Sequence, residues 1–443
     1  MKELLFTIPY KAFDIWAVKR YTQKVLDSQY PIDALGKHIV LASEKLVLFD
    51  YPEKLFSILG ISNEIGMYDA YEKQGKAFNQ SYKVVEDGYI AYNPYRINVG
   101  SIGIKTDALK GNLISPAYVV FRCKETLLPE FLFLLMKTEA FNKQVIVSTS
   151  GSVRQSLTFN ALSKIRVPIP PIEIQELLVE NYAKTIEKAN EAREQCSWSL
   201  IDDMLNDFLH IETAAKNDVN KSLLRNACYS SLFAWDVKNR PSSNLFNTKK
   251  YTSVALASLA TLNPTITKCL GKDTTISFIP MECVSDFDGT IIEYRECASD
   301  KKGFTKFEDG DIIWAKITPC MQNGKSAIVE NMKNGVGYGS TEFYVIRRTS
   351  DKVLTEYLYY ILRTERVRHE AVYSFTGSAG QQRVKKSFLL ELQIPLPSMQ
   401  AQEEIVLRLN NKKREIAEKK KEYESLLQQA KHIFQSAIFI RQD

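Results

Sequence analysis

Pro129-Glu130-Phe131-Leu132-Phe133-Leu134-Leu135-Met136-Lys137-Thr138-Glu139 returns later in the same chain as Thr355-Glu356-Tyr357-Leu358-Tyr359-Tyr360-Ile361-Leu362-Arg363-Thr364-Glu365. The two stretches lie close to half a chain apart in a sequence of 443 residues. Landmarks on either side keep nearly the same spacing. Glu86-Asp87-Gly88 is matched by Glu308-Asp309-Gly310, and Tyr118-Val119-Val120 by Tyr344-Val345-Ile346. Ser150-Gly151-Ser152 is matched by Thr376-Gly377-Ser378, and Val167-Pro168-Ile169-Pro170 by Ile394-Pro395-Leu396-Pro397. Trp16-Ala17-Val18-Lys19 answers Trp235-Asp236-Val237-Lys238. Two such units are too few and too long for a solenoid, whose period is about 20–50 residues. The chain is a duplicated module, so what one half grips the other is expected to grip in related form.

Each copy reads as a mixed α/β globule followed by a long helix. Ala117–Arg122 and Glu342–Arg347 are rich in β-branched and aromatic residues and read as strands. The repeated Glu-Phe/Tyr-Leu segment then switches to helical spacing, with Phe131, Leu134 and Leu135 on one face. A Gly-Ser loop, a short helix near Asn160–Lys164 and a proline-held extended exit follow. Beyond each exit, neither Ile172–His210 nor Met399–Asp443 contains proline or glycine. Gln175, Val179, Tyr182, Ile186, Ala189, Arg193, Cys196 and Leu200 alternate steps of four and three, and Leu409, Ile416, Tyr423, Ala430 and Ala437 recur every seventh residue. Such spacing predicts two rods of roughly 60 Å with coiled-coil seams. The seams are uneven, which favours an intramolecular antiparallel pair. The predicted class is α+β: two related mixed α/β globules separated by two long antiparallel coiled-coil helices, an internal repeat with approximate twofold symmetry. The boundaries read as a globule over 1–171, a long helix over 172–212, a hinge (Thr213–Asn220) with a second globule over 213–397, and a long helix over 398–443.

Composition narrows the class. With 45% hydrophobic and 11% aromatic residues, each half can bury a core, which excludes global disorder. Seven cysteines, an odd number without a CxxC pair, fit a reducing compartment, so the expected location is cytoplasmic. The amino terminus is expected to carry no signal peptide, and no apolar run is long enough for a membrane span. A net charge of +6 leans toward a polyanionic partner.

No enzyme motif is complete in the sequence. Gly324-Lys325-Ser326 ends like a phosphate-binding loop, but Pro319 stands where the first glycine is required. Asn93-Pro94-Tyr95 has part of an amino-methyltransferase motif but lacks its second proline and reads as a turn. Gly100-Ser101-Ile102-Gly103 reads as a strand-entry turn. The four histidines, His38, His210, His369 and His432, pair neither with each other nor with cysteines at ligand spacing, so no metal site is expected.

What recurs is a polar loop at one place in both halves: Ser150-Gly151-Ser152-Val153-Arg154-Gln155 and Thr376-Gly377-Ser378-Ala379-Gly380-Gln381-Gln382-Arg383. Glycine lets a backbone approach a ligand, and serine suits phosphate oxygens. Arginine and glutamine read guanine and adenine edges. The bland alternative is a helix-capping turn. Basic and aromatic residues also interleave around Arg96 and Lys105 and around Lys316 and Lys325, as in a nucleic-acid groove. Trp314 reads as core, and the lysine run Lys412–Lys421 as a solvated helix face. The candidate DNA contacts are therefore Ser150, Gly151, Ser152, Arg154, Gln155, Arg96 and Lys105 in the first half. In the second they are Gly377, Ser378, Gln381, Gln382, Arg383, Lys316 and Lys325.

The order globule, Gly-Ser loop, proline exit, Gln/Glu-rich long helix, and then all of it again, resembles the DNA specificity subunit of type I restriction-modification systems. Its most specific marks are Ile169-Pro170-Pro171-Ile172-Glu173-Ile174-Gln175 and Ile394-Pro395-Leu396-Pro397-Ser398-Met399-Gln400-Ala401-Gln402-Glu403, with Ser398 where the first copy has Pro171. The resemblance implies that each globule is a target-recognition domain reading half of a split, asymmetric sequence in double-stranded DNA. The rods would set the half-site spacing. The subunit itself would catalyse nothing and bind no cofactor. Two methyltransferase subunits and ATP-dependent restriction subunits would be its partners, with S-adenosylmethionine, ATP and Mg on them. The competing reading is a coiled-coil scaffold whose globules bind proteins, without salt-sensitive affinity for DNA.

Overall fold

The computed structural model describes residues 27–63, 65–149, 156–211, 245–271, 273–378 and 381–440. The two tryptophan landmarks and the hinge Thr213–Asn220 lie outside them. The chain divides into two compact units, Met1–Glu191 with Tyr423–Asp443, and Ala192–Glu422.

In the first unit a four-stranded antiparallel sheet runs Ile39–Leu41, Val119–Cys123, Ile90–Tyr92, Ile102–Ile104. In the second the same order is built by Ala260–Leu262, Phe343–Arg348, Ile312–Ala315 and Ser326–Ile328. The strand period of two explains why these segments read as continuous apolar runs. Ile312 and Trp314 face the helices, while Ile313 and Ala315 face a smaller core beneath a second sheet. Likewise Tyr92 and Phe121 enter the helix-side core, and Ala91 and Val120 the opposite one. Both faces are covered, so both need apolar side chains. The second sheets differ. The first unit has five strands, ordered Lys45–Leu46, Tyr82–Val84, Leu113–Ile114, Leu55–Ser62, Gly66–Gln74. The second unit has four, ordered Arg295–Ala298, Thr275–Ile279, Val336–Gly339, Thr305–Glu308. The proline exits are short strands, Arg166–Pro168 against Ile32–Ala34 and Gln393–Pro395 against Ser253–Ala255. In such isolated two-stranded pairs a missing N–H is tolerated.

The helices are α1 (Pro129–Met136), α2 (Glu139–Ser148), α3 (Phe159–Ser163), α4 (Ile172–Glu194), α5 (Ser199–Phe208), α6 (Thr355–Arg363), α7 (Glu365–Val372), α8 (Lys386–Glu391) and α9 (Met399–Ile438). The repeated segments Pro129–Glu139 and Thr355–Glu365 begin with α1 and α6. Thr138 and Thr364 end them by capping α2 and α7, accepting from Phe141 N (3.2 Å) and Val367 N (3.4 Å). Among the described residues no helix is long and apolar enough to cross a membrane.

The first rod is not continuous as the spacing predicts. It stops at Glu194 and resumes at Ser199. The ladder tightens as Gln195 and Cys196 donate to carbonyls three residues back, Ala192 O (3.2 Å) and Arg193 O (2.9 Å). Ser197 Oγ then accepts from Ser199 N (3.2 Å), an offer that competes with the helix. The turn lays Trp198 on Tyr360, ring centroids 6.2 Å apart, with the Arg363 guanidinium 4.2 Å above the indole. The expected seam also shifts: Ala192 rather than Arg193 is buried, and Phe434 and Ile438 are buried where Ala437 is only half-buried. Within each unit the long C-terminal helix packs on the helices that follow the first proline exit. In the second, Arg408 lies 5.5 Å from the Phe208 ring. In the first, Phe434 packs on Tyr182 at 6.1 Å and on Phe131 at 5.6 Å.

The glutamines of the two sequence marks have a definite task. Gln175 is fully buried (0% exposed), accepts from Leu128 N (2.8 Å), and donates to Pro170 O (2.8 Å) and Thr126 O (3.2 Å). Gln402, also 0% exposed, accepts from Leu354 N (2.9 Å) and donates to Pro397 O and Lys352 O (both 2.9 Å). Each side-chain amide ties the start of a long helix to the proline exit and to the loop before α1 or α6. Only a Gln reaches with both an acceptor and a donor pair.

Candidate nucleic-acid interface

The second-half loop closes as a bridge between Thr376 and Arg383, each N–H donating to the other's carbonyl at 2.9 Å. Gly377 turns the chain at φ 110°, a conformation open to glycine and strained for other residues. On its other side the loop's return strand pairs with the segment after Ile312–Ala315: Thr318 N donates to Gln382 O (3.0 Å) and Val384 N to Lys316 O (2.9 Å). Gly377, Ser378, Gln381, Gln382, Arg383 and Lys316 therefore come together. Lys316 lies with its Nζ 5.3 Å from the Tyr344 ring and enters a concavity of about 460 Å³ with Lys306, Thr305 and Thr341.

Arg383 is held firmly. Its Nε and Nη2 donate to Glu342 at 2.9 and 2.7 Å, and its Nη1 donates to Gln381 O at 2.9 Å. The guanidinium holds the Glu342 carboxyl below the usual carboxylate range, and Glu342 in turn raises the Arg383 pKa. Glu342 was not singled out by sequence reasoning. Its only signal there is its place at the start of a strand, opposite an arginine far along the chain.

In the first half, Ser150, Gly151, Ser152, Arg154 and Gln155 lie outside the described residues. Their flanks are placed: Leu157 N donates to Pro94 O (2.9 Å), and Thr149 lines a concavity of about 520 Å³ with Asn93, Tyr95, Arg96, Asn98 and Ile146. Asn93-Pro94-Tyr95 is the turn the sequence predicts, with Asn93 Oδ1 accepting from Tyr95 N (3.0 Å). Arg96 is exposed there. The turn ends on Gly100 at φ 85°, with Gly100 N bonded to Ile97 O (2.9 Å) and Ser101 N to Arg96 O (3.1 Å). Its counterpart in the second unit ends on Gly324 at φ 80°, with Gly324 N bonded to Met321 O (2.9 Å) and Lys325 N to Cys320 O (3.0 Å). Both halves thus set the flanks of a polar loop against the same glycine-ended turn.

Two of the expected contacts are corrected. Lys105 is only 6% exposed, and its ammonium is consumed by Asp87 (2.9 Å), Thr106 O (2.7 Å) and Leu109 O (2.9 Å). Lys325 is half-buried and donates to Met281 O (3.0 Å). Both lysines brace loops from within, so neither is disposed to meet a phosphate. Trp314 is core, its Nε1 donating to Leu362 O (3.1 Å). The lysine run of α9 is not wholly solvated: Lys420 lies 4.0 Å from the Phe287 ring, and burial lowers the pKa of Lys413.

A family model described as the type I restriction modification DNA specificity domain matches residues 60–194 and 248–428, once in each half. The chain belongs to that family. The specificity subunit of the Escherichia coli type I restriction enzyme EcoAI is 41% identical over 155 residues, covering 34% of this chain and 26% of that protein. The EcoEI specificity subunit from the same organism is 40% identical over 155 residues, with the same coverage. The matched stretch thus spans about a quarter of these curated relatives. A solved structure concerned with complex assembly and conformational transition of the type I R-M system superposes over 94% of this chain and 99% of that one, with TM-score 0.51 and 17% identity. At that identity the likeness bears on the fold, and it agrees with the α+β repeat of the specificity family. The HsdS subunit from Thermoanaerobacter tengcongensis aligns over 92% of this chain and 95% of its own, with TM-score 0.38 and 18% identity.

Proposed function

We propose that this chain is the non-catalytic, sequence-reading subunit of a type I restriction-modification complex. Each unit takes one half of a bipartite, asymmetric target in double-stranded DNA. Methyltransferase subunits, with S-adenosylmethionine, and restriction subunits, with ATP and Mg, assemble around it and do the chemistry. One observation carries this reading. The two units repeat one sheet and one loop-against-turn arrangement, yet carry different residues where the loop meets the turn: Pro94, Tyr95 and Arg96 in one, Lys316, Ile317 and Thr318 in the other. Repetition of the frame supports two grips of one kind, and divergence of the side chains supports two different half-sites. Exposed lysines such as Lys306 suit phosphates, which fix register, while arginine and amide groups suit base edges. Two modest grips in one chain reinforce each other through effective concentration.

The test is to co-express the chain with DNA methyltransferase subunits and map methylated adenines across the host genome. The expected result is a two-part motif with a fixed gap and unlike halves. Methylation without a motif, or none at all, returns the chain to the scaffold reading.

A further inference from the structure

Arg383 is unusual among the loop's polar groups because a carboxylate already neutralises it. A free guanidinium would serve a phosphate well; one paired to Glu342 through Nε and Nη2 is a poor phosphate ligand. A carboxylate on a phosphate-facing surface also weakens attraction to DNA. The arrangement makes sense for a different purpose. Of the five N–H donors of an arginine, three are committed here, to Glu342 Oε2, Glu342 Oε1 and Gln381 O. Among the described residues, one donor on each of the two terminal nitrogens, Nη1 and Nη2, has no partner. Adjacent donors of that kind match the O6 and N7 acceptors of guanine in the major groove. The side chain is 40% exposed even though it is paired. Glu342 is itself anchored, its carbonyl accepting from Lys316 N at 2.9 Å.

We infer that Glu342 is a positioning residue, holding the Arg383 fork in the plane in which it discriminates one guanine of the second unit's half-site. This rests on the DNA-reading role proposed above. A flexible arginine loses rotamer freedom on engaging a base; one already locked by a carboxylate has less to lose, so discrimination sharpens. The competing account makes the ion pair a tether that closes the loop, with no bearing on sequence.

The experiment selects duplexes from a random-sequence DNA library with the full chain, then measures binding to the selected duplex and its single-base variants at fixed salt. Wild type, Glu342→Ala, Glu342→Gln, Arg383→Ala and the double alanine variant are compared. The wild type is expected to select a motif containing one G·C pair whose preference falls about tenfold in both Arg383→Ala and Glu342→Ala. Other positions keep their preferences, affinity for random duplex does not fall, and the double variant is no worse than Arg383→Ala. Glu342→Gln, which keeps one acceptor and the side-chain shape, gives an intermediate loss and serves if the alanine variant unfolds. Glu342 variants that leave every preference unchanged, or weaken all positions together, overturn the inference while leaving the DNA-reading role intact. A wild-type chain that selects no motif instead overturns that role, and this inference with it.

Discussion

Gln175 and Gln402 show how one buried side chain can organise an element start. Each satisfies an N–H and two carbonyls at a junction that has no regular structure of its own. Gln175→Ala would leave those groups buried without partners, at about 1–3 kcal/mol each before relaxation. Amide hydrogen exchange should therefore show the first unit destabilised by at least about 2 kcal/mol with the second unaffected, and Gln402→Ala should do the reverse. Both residues were visible as sequence marks, but their task was not, because their partners lie some fifty residues away in the fold. The lysines teach the opposite lesson: nothing local tells that Lys105 finds carbonyls and Asp87 inside, whereas Arg96 stays exposed. Asp202 is a third case. Burial pushes its carboxyl up from 3.8 to about 6, although Glu365 N donates to it at 2.8 Å and Arg368 and Arg363 lie nearby. The folded state therefore favours the neutral acid. The stability it contributes is present below about 3.8 and is lost as pH rises through about 6. Asp202→Asn should flatten that part of the melting profile and raise stability above pH 6 by on the order of 1 to 3 kcal/mol; a variant whose profile keeps the wild-type slope between pH 4 and 6 would refute the assignment.

The strands and the paired helices were legible because their periods are strong and occur twice. Phe343–Arg348 and Ile312–Ala315 alternate between two cores, and α6 carries six consecutive buried aromatic and aliphatic residues, Tyr357–Leu362. The break between α4 and α5 was not legible. Gln195, Ser197 and Trp198 all occur inside helices, and the turn is decided by contacts that spacing does not show, Ser197 Oγ with Ser199 N and Trp198 with Tyr360 and Arg363. Arg363 is almost fully buried and donates to Asp286 O (2.6 Å), Phe287 O (3.0 Å) and Gly324 O, so the indole above it completes a knot of three segments. Trp198→Ala should cost the second unit about 3 kcal/mol, read as a lower denaturation midpoint, whereas Trp198→Phe should recover much of it. Equal loss in both variants would show that packing at this break does not depend on an aromatic plane.

Across the whole chain, duplication explains what is common and divergence explains what each unit is for. The four-stranded sheet, the capped helix pair, the glutamine clamp and the glycine-ended turn recur in both units. The second sheet does not, with five strands against four, and neither do the side chains beside the turn. The most direct measurement compares the methylated motif made with Arg96→Ala, in the first unit, and with Arg383→Ala, in the second, using the full chain and the same methyltransferase partners. The account predicts that each substitution relaxes one half of the motif and leaves the other half and the gap unchanged. Both substitutions altering the same half, or neither altering the motif, would contradict it.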